Sequence, residues 1–272
     1  ELHEEVGLDP GEEFLDHTDF YDKAVKLTKK TNGEFDQVGC DTSYYCAWQT
    51  TLYQQFLQRE KNGTPWIDPK TNKLVWNDYP EIFEAFVWYT TLSAEVFDAA
   101  FLQGQNRFAL GKAGMTLGHP VARGKYKLEA PDLAYTIRPF PPRSPGQQLY
   151  TAGSHWMWVV GKWAPDYETA WQWVYYCTNL PAQIVWYDVG GDLPSHKALV
   201  DDPRFRQDEN SEVVMDSLSY ATPWEWVGWA EWCKETTDAH DRVVIGGEDP
   251  RQSFNTMVEN LNKVIETHTP QA

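Results

Sequence analysis

The chain has 272 residues, of which 42% are hydrophobic and 15% aromatic, enough to bury a sizeable core in one large domain or two smaller ones. Its 40 acidic residues outnumber 23 Lys and Arg, for a formal net charge of −17, and a field of that sign repels nucleic acid and anionic membranes. The composition excludes a disordered chain, and no apolar stretch reaches the roughly 18 residues of a membrane-spanning helix.

The first half of the chain predicts helices separated by turns. The segment HTDFYDKAVKLTKK places Phe20, Ala24 and Leu27 at helical spacing, with Thr18 as a candidate N-cap. A second helical run, YYCAWQTTLYQQFLQRE, precedes a hairpin pattern in GTPWIDPKTNKLVWNDYP, where Pro and Asn mark the turns. A third helix is predicted in PEIFEAFVWYTTLSAEVF, with Pro80 near its first turn.

The second half of the chain mixes short strands with helices. Strands are predicted in AGMTL, in AYTIRPF before a proline-rich connector, and in SHWMWVVG. Helices are predicted in APDYETAWQWVYYCTNL and, at the end, in PRQSFNTMVENLNKVIETH. Helices that alternate with short strands are typical of an α/β protein.

The four cysteines leave the redox state open. Cys40 and Cys46 enclose only DTSYY, so they form either a local disulfide in an oxidising compartment or two buried free thiols. Neither they nor Cys177 and Cys233 show CxxC spacing or a His at metal-ligand distance. We therefore expect no metal site and no cofactor.

Several segments, in order, resemble those of the extracellular solute-binding proteins of sugar ABC transporters, the maltose-binding-protein-like group. They are GLDP followed by HTDFYDKAVKLT, FLQGQNRFALGKAGMTLGHP, AYTIRPFPP, AGSHWMWVVGKWAPDYETAWQWVYYCTN, VGGDLPSHKALVDDPRF, and VVIGGEDPRQSFNTMVENLNKVI. Their collinearity over nearly the whole chain makes the joint match stronger than any one motif. One departure is that Val121 stands where maltose binders carry a stacking Trp, which argues against maltose itself.

The resemblance implies a periplasmic-binding-protein-like α/β fold of two lobes, with one lobe nearly complete and the other only partly present. Residues 1–138 are expected to begin the C-terminal-type lobe, and residues 139–192 to form the crossover and part of the N-terminal-type lobe. Residues 193–272 are expected to return to the first lobe. Relatives carry a further segment before this region, so the chain is expected to be a fragment, and its partial lobe is expected to expose apolar faces.

The function implied by the resemblance is capture of a sugar or oligosaccharide by hinge closure between the lobes. The expected partners are that ligand and the permease subunits of an ABC transporter, with the protein itself monomeric. The expected location is extracytoplasmic, in the periplasm or at the cell surface, with any membrane anchor outside this sequence.

A tryptophan-rich stretch, ATPWEWVGWAEWC, supplies the first candidate ligand residues. A sugar presents C–H faces that pack on aromatic planes and hydroxyls that need hydrogen bonds. Trp224 and Trp226 lie in an irregular stretch and are candidates for the planes, with Glu225 pointing the opposite way if the stretch is extended. Trp229 and Trp232 stand three apart, at helical spacing, and are expected in the core.

Three further segments supply candidate ligand residues. DTSYYCAW surrounds a helix start, where backbone N–H groups point outward, and AGSHWMW begins with a turn of small residues that a ligand can approach. The structural alternatives are a buried strand for Trp156 in AGSHWMW and a solvated loop around GHP. The resemblance places the family's sugar-facing aromatic near Tyr44 or Tyr45. The full set of further candidates is Asp41, Tyr44, Tyr45, Trp48, His119, Arg123, Gly153, Ser154, His155 and Trp156.

An enzyme and a carbohydrate-binding module without a transport role are the alternatives. Glu225, Glu231, Asp238 and Asp241 could supply the paired carboxylates of a glycosidase. With 40 acidic residues, however, close pairs arise by chance. The sequence contains no GxSxG, HExxH or Walker A motif, so we expect no catalytic residues.

Overall fold

The computed structural model describes residues 1–154 and 157–269, so His155 and Trp156 lie outside the described residues. The chain divides into two compact units. The first comprises residues 1–117, 139–152 and 221–272, and the second comprises residues 118–138 and 153–220. The predicted lobe ranges differ from these units, since residues 118–138 and 193–220 cluster with the second unit. Which unit corresponds to which lobe type stays a prediction.

Helices and short strands alternate along the described residues. The helices are α1 (His17–Leu27), α2 (Tyr45–Glu60), α3 (Pro80–Val96), α4 (Ala122–Glu129), α5 (Tyr167–Thr178), α6 (Leu180–Val185), α7 (Glu209–Asp216), α8 (Trp229–Val244) and α9 (Pro250–His268). The strands are β1 (Lys29–Thr31), β2 (Glu34–Asp41), β3 (Ile67–Asp68), β4 (Lys73–Leu74), β5 (Ala113–Thr116), β6 (Thr151–Gly153) and β7 (Ala221–Pro223). This order confirms the α/β class.

Helix α1 forms where the apolar spacing predicts it. Phe20, Ala24 and Leu27 are buried on one face. The N-cap is Asp16 rather than the predicted Thr18, because the Asp16 carboxylate accepts the backbone N–H of Asp19 at 2.9 Å. An Asp side chain satisfies a helix-start N–H group at least as well as Thr, so the helix begins two residues earlier than predicted.

A three-stranded sheet lies against α1. Strand β2 pairs antiparallel with β1 and parallel with β5, in the order β1-β2-β5. Two glycines allow the helix to approach: a Cβ on Gly39 would lie 1.9 Å from the carbonyl oxygen of Ala24, and one on Gly114 would lie 2.8 Å from the Cβ of Leu27. Glycine is therefore required at both positions.

Helices α2, α3, α8 and α9 pack together around an aromatic core in the first unit. Trp66, Trp76 and Trp232 are each fully buried, with pairwise ring-centroid distances of 5.5–5.7 Å. Trp66 leads into the predicted hairpin, in which Ile67 pairs with Leu74. The large indole rings fill the space between the hairpin and the helices, which explains part of the tryptophan content by packing alone.

The second unit has a small core, formed by Tyr187, Leu199, Phe205 and Met215. Residues 118–138 join it because α4 crosses closely: a Cβ on Gly124 would lie 2.6 Å from the carbonyl oxygen of Gly190. Helix α5 has no buried residue, and its aromatic side chains are exposed. The expected exposure of apolar faces in this region is confirmed. The exposed aromatic side chains of α5 are Tyr167, Trp171, Trp173, Tyr175 and Tyr176.

Two of the predicted strands are not formed in the described residues. Residues 134–140, from AYTIRPF, and residues 157–160, from SHWMWVVG, have no regular secondary structure. A strand requires a neighbour to accept and donate backbone hydrogen bonds. Within the described part of the second unit, only Gly153 of β6 is in a strand, so the alternating pattern of these segments has no ladder to join.

Candidate functional site

Three indole rings form a surface group in the first unit, which we call the aromatic cluster: Trp224, Trp226 and Trp229. The ring centroids of Trp224 and Trp226 are 4.1 Å apart at an interplanar angle of 46°, and those of Trp226 and Trp229 are 4.0 Å apart at 71°. Trp229 is 45% exposed and the other two are half-buried. The cluster therefore offers aromatic surface to solvent while its members support one another.

The rings of Trp224 and Trp226 meet on one side of the irregular stretch that follows β7. Glu225 points the opposite way, as predicted, and its carboxylate accepts the backbone N–H of Trp66 at 2.6 Å and that of Ile67. Burial raises the pKa of Glu225, while these two hydrogen bonds oppose the rise. The acidic side chain thus anchors the stretch between two candidate ligand residues.

Gly228 turns the chain into α8 and brings Trp229 beside Trp226. Its φ of +62° lies in the left-handed region, and a Cβ there would lie 2.8 Å from the ring of His268 and from Val264. A residue with a side chain would be both strained and obstructed at this position. The turn that places Trp229 beside Trp226 therefore requires glycine at position 228.

The two tryptophans of α8 have different surroundings. Trp232 is fully buried against Trp66 and Trp76, so its predicted place in the core is confirmed. The same prediction was wrong for Trp229, which lies in the first turn and packs on the ring of Trp226. Helical spacing does not distinguish a residue in the core from one that packs on a surface ring. The sequence therefore did not identify Trp229 as a member of the surface group.

Tyr44 is the exposed aromatic residue at the start of α2. Its side chain is 37% exposed. Burial raises the pKa of Tyr44, and the nearby Cys46 and Cys233 raise it further. Trp229 stands one helical turn before Cys233 on the same face of α8. Tyr44 and the aromatic cluster therefore both adjoin the start of α8.

Tyr45 and Trp48 turn inward from the same helix start. Tyr45 is 9% exposed and stacks on His240 with 4.0 Å between ring centroids, and burial raises its pKa to about 12. Trp48 is 1% exposed and packs against Phe20, Tyr89 and Phe140. Neither offers a free ring face, so we do not retain them as ligand residues.

Asp41 organises the turn before α2. One carboxylate oxygen accepts the backbone N–H of Ser43 at 3.0 Å, and the other lies 3.3 Å from the guanidinium of Arg107. Both side chains are largely buried. Asp41 thus fixes the approach to Tyr44, and both of its oxygens already have partners within the protein.

The second unit holds the remaining candidates. Arg123 donates to the Ser211 hydroxyl at 2.8 Å and lies over the ring of Tyr187, so its guanidinium packs α4 within the unit. His119 is half-buried, and burial lowers its pKa, which the nearby Asp192 partly opposes. The side chains of Arg123 and His119 therefore already interact with other residues of the second unit.

Gly153 ends β6 and Ser154 follows in an exposed position, so a small, open backbone segment does occur there. The two residues that follow them, His155 and Trp156, are also candidates but lie outside the described residues. Their proposed ligand role is unchanged.

One buried group has the connectivity of a catalytic triad. The hydroxyl of Ser93 lies 2.8 Å from Nε2 of His240, whose Nδ1 lies 2.9 Å from a carboxylate oxygen of Asp241. Ser93 is fully buried and its oxygen also lies 2.9 Å from the hydroxyl of Thr42. A nucleophile must reach its substrate, so this group is a structural network that links the residue after β2 to α3 and α8.

The four carboxylates considered for glycosidase chemistry each have their own partner. Glu225 accepts backbone N–H groups, Glu231 lies 3.5 Å from His268, Asp238 pairs with Lys234, and Asp241 bonds His240. The described residues contain no group of acidic, His and Cys side chains that could hold a metal ion. The same residues include no helix with the length and apolar character to cross a bilayer.

A comparison with protein families matches residues 13–213 to the model of the bacterial extracellular solute-binding proteins. No curated protein sequence matches the chain. The fold is similar to an ABC transporter solute-binding protein from Thermotoga lettingae bound with α-D-tagatose, at 20% identity and a TM-score of 0.75, over 97% of this chain and 68% of that one.

Two further solved structures are similar in fold. They are the sugar-binding protein MalE from Xanthomonas citri, at 16% identity and a TM-score of 0.73, and an ABC substrate-binding protein from Listeria monocytogenes in complex with cycloalternan, at 18% identity and 0.69. The alignments cover 98% and 97% of this chain and 67% of each of those chains. The chain thus spans about two thirds of their length.

Proposed function

The chain belongs to the bacterial extracellular solute-binding protein family, and from that premise we propose that it binds a sugar or oligosaccharide for delivery to the permease of an ABC transporter. Membership of this family places it outside the cytoplasm. The observation that carries the sugar specificity is the aromatic cluster, with Tyr44 adjoining the same helix start. The similar solved structures support the same ligand class, since they are a protein bound with α-D-tagatose, a sugar-binding protein and a protein in complex with cycloalternan.

The physical argument rests on how a sugar loses its water. Its C–H faces gain dispersion and hydrophobic contact on a flat aromatic ring without any directional bond. Trp226 lies between the rings of Trp224 and Trp229, so the three rings are already in contact before the ligand arrives. A preformed surface avoids the entropy loss of ordering side chains on binding.

The proposal includes the hinge closure that the family resemblance implies. Closure increases affinity only when the ligand interacts more strongly with the closed state. We place no catalytic step in the protein, because the Ser93 hydroxyl is fully buried and the four carboxylates each have a separate partner.

Titration with a panel of sugars tests the function. We expect a saturable change in tryptophan fluorescence or binding heat with at least one sugar, with no product formed. Trp226→Ala should weaken binding by about tenfold or more, which corresponds to about 1.4 kcal/mol. Trp163→Ala is the matched control, since Trp163 is 83% exposed in the second unit and lies outside the cluster.

Three results would contradict the proposal. No saturable response with any sugar would exclude sugar binding, and turnover of a glycoside would favour the enzyme. Equal affinity of Trp226→Ala and Trp163→Ala would remove the cluster from the site. Small-angle scattering with and without the sugar tests hinge closure separately. We expect a smaller radius of gyration in the bound state if the hinge closes.

A further inference from the structure

Two cysteines far apart in the sequence meet in the first unit. Cys46 lies in the first turn of α2 and Cys233 in the second turn of α8, and the two thiols lie close enough for each to shift the pKa of the other. Cys46 is 3% exposed within the core, and Cys233 is half-buried and packs against that core. All four cysteines are free thiols in the structure.

The packing of α2 on α8 fixes this contact from both sides. One turn after Cys46, the side-chain amide of Gln49 donates to the carbonyl oxygen of Thr236 at 2.9 Å. One residue before it, Tyr45 stacks on His240. The two thiols therefore face each other because neighbouring side chains hold the helices together.

We propose that Cys46 and Cys233 form a disulfide bond in the extracytoplasmic compartment where this family works. Disulfides form and persist in such oxidising compartments. The sequence alone leaves Cys40 and Cys46 as either a local disulfide or two free thiols. The structure instead holds Cys40 within β2, wholly buried, and sets Cys46 against Cys233.

The reaction is a thiol–disulfide exchange with a disulfide oxidant. The thiolate of Cys233 attacks one sulfur of the oxidant and displaces the other as a thiolate, which leaves a mixed disulfide on Cys233. Cys46 then loses its proton and attacks the Cys233 sulfur, which releases the second thiolate. Two protons and two electrons pass to the oxidant, which becomes two thiols.

The surroundings of the two sulfurs suit these separate roles. The interaction with Cys46 lowers the pKa of Cys233, and the same interaction together with burial raises the pKa of Cys46. Cys233 is also the more accessible of the two. The thiolate forms more readily at Cys233, so Cys233 makes the first attack and Cys46 closes the bond.

The bond would tie the helix start that carries Tyr44 to the helix start that carries Trp229. It would close a long loop of the chain, and such a link restricts the unfolded state. We expect the oxidised protein to melt roughly 5–10 °C above the reduced one. This inference requires no knowledge of the ligand.

Peptide mapping tests the bond directly. The folded protein is incubated with oxidised glutathione, denatured, alkylated without reduction and digested. We expect a linked peptide that joins Cys46 to Cys233, with alkylation at Cys40 and Cys177. Alkylation of all the cysteines, a link between Cys46 and Cys40, or only glutathione adducts would overturn the proposal.

Matched serine variants separate the bond from folding defects. Cys177→Ser should keep the linked peptide and the higher melting temperature of the oxidised protein. Cys46→Ser and Cys233→Ser should lose both, and dithiothreitol should no longer change their melting temperature. If dithiothreitol lowers the melting temperature of Cys46→Ser as much as that of the parent, another bond is responsible. The sugar panel is not used here, so a failure would leave the proposed function intact.

Discussion

The carboxylate of Glu225 accepts the backbone N–H of Trp66 at 2.6 Å, and this bond joins the extended stretch before α8 to the start of the β3–β4 hairpin. Trp66 is fully buried and its carbonyl oxygen accepts the N–H of Val75. The residue that Glu225 contacts is therefore itself held by the core and by the hairpin. Because Trp224 and Trp226 flank Glu225, their common orientation depends on a residue that itself faces away from them.

Replacing this anchor should destabilise the protein and loosen the cluster. Glu225→Ala leaves the N–H groups of Trp66 and Ile67 without their acceptor, which we expect to cost about 1–3 kcal/mol of unfolding free energy. Urea denaturation measures that loss. Glu231→Ala is the control: Glu231 pairs with His268 at the surface, so it should change stability little. Equal losses in the two variants would contradict the anchoring role.

The tryptophans of α8 should separate stability from binding. Trp232→Ala removes a fully buried ring from between Trp66 and Trp76, so we expect a loss of about 3–5 kcal/mol in unfolding free energy. Trp229→Ala removes a half-exposed ring and should cost about 1 kcal/mol while weakening sugar binding. Denaturant unfolding and titration on both variants check this. A large stability loss for Trp229→Ala would place it in the core after all.

Much of the first unit could be predicted from the sequence. The spacing of Phe20, Ala24 and Leu27 predicts α1, as the structure shows. The alternation around Glu225 predicts that this side chain points away from the side shared by Trp224 and Trp226, and the structure shows this as well. These features depend on local geometry. The period of a helix or an extended chain fixes which side chains share a face, wherever the rest of the protein lies.

The rest depends on contacts between distant parts of the chain. The short spacing of Cys40 and Cys46 leaves a local disulfide between them open, whereas helix packing sets Cys46 against Cys233. Trp48 stands in a plausible ligand segment, yet it lies in the core because α2 turns that face inward. Neither outcome has a local signal, since both follow from how helices pack.

Gly228 should be required both for its backbone and for its space. In Gly228→Ala, the left-handed backbone conformation costs about 1–2 kcal/mol. The new Cβ would also lie 2.8 Å from the ring of His268. Gly247 has a similar φ of +67° with nothing within 4 Å, so Gly247→Ala should show the strain alone. We expect the larger loss of unfolding free energy at Gly228, with weaker sugar binding. Equal losses would show that the close approach of His268 has no energetic effect.

His17 should make the protein less stable in mild acid. Its ring is 8% exposed, stacks on Trp88 at 4.7 Å and lies 2.9 Å from the side-chain oxygen of Gln55. Burial lowers its pKa from 6.5 to about 4, with a smaller contribution from the charge of Arg143, and the Gln55 bond opposes the shift. The unfolded chain therefore binds a proton between about pH 6.5 and pH 4 that the folded chain does not.

That difference sets the sign of the pH dependence. Stability conferred by neutral His17 is present above about pH 6.5 and is lost as the pH falls towards 4, by about 3 kcal/mol. Urea unfolding between pH 7 and pH 4 measures it in the parent and in His17→Gln. The variant cannot take up this proton, so its stability should fall less over the interval even if it is lower at pH 7. His196→Gln, which changes an exposed histidine, is the control and should follow the parent. If His17→Gln also keeps the full acid loss of the parent, the loss comes from other groups and His17 is not held neutral by burial.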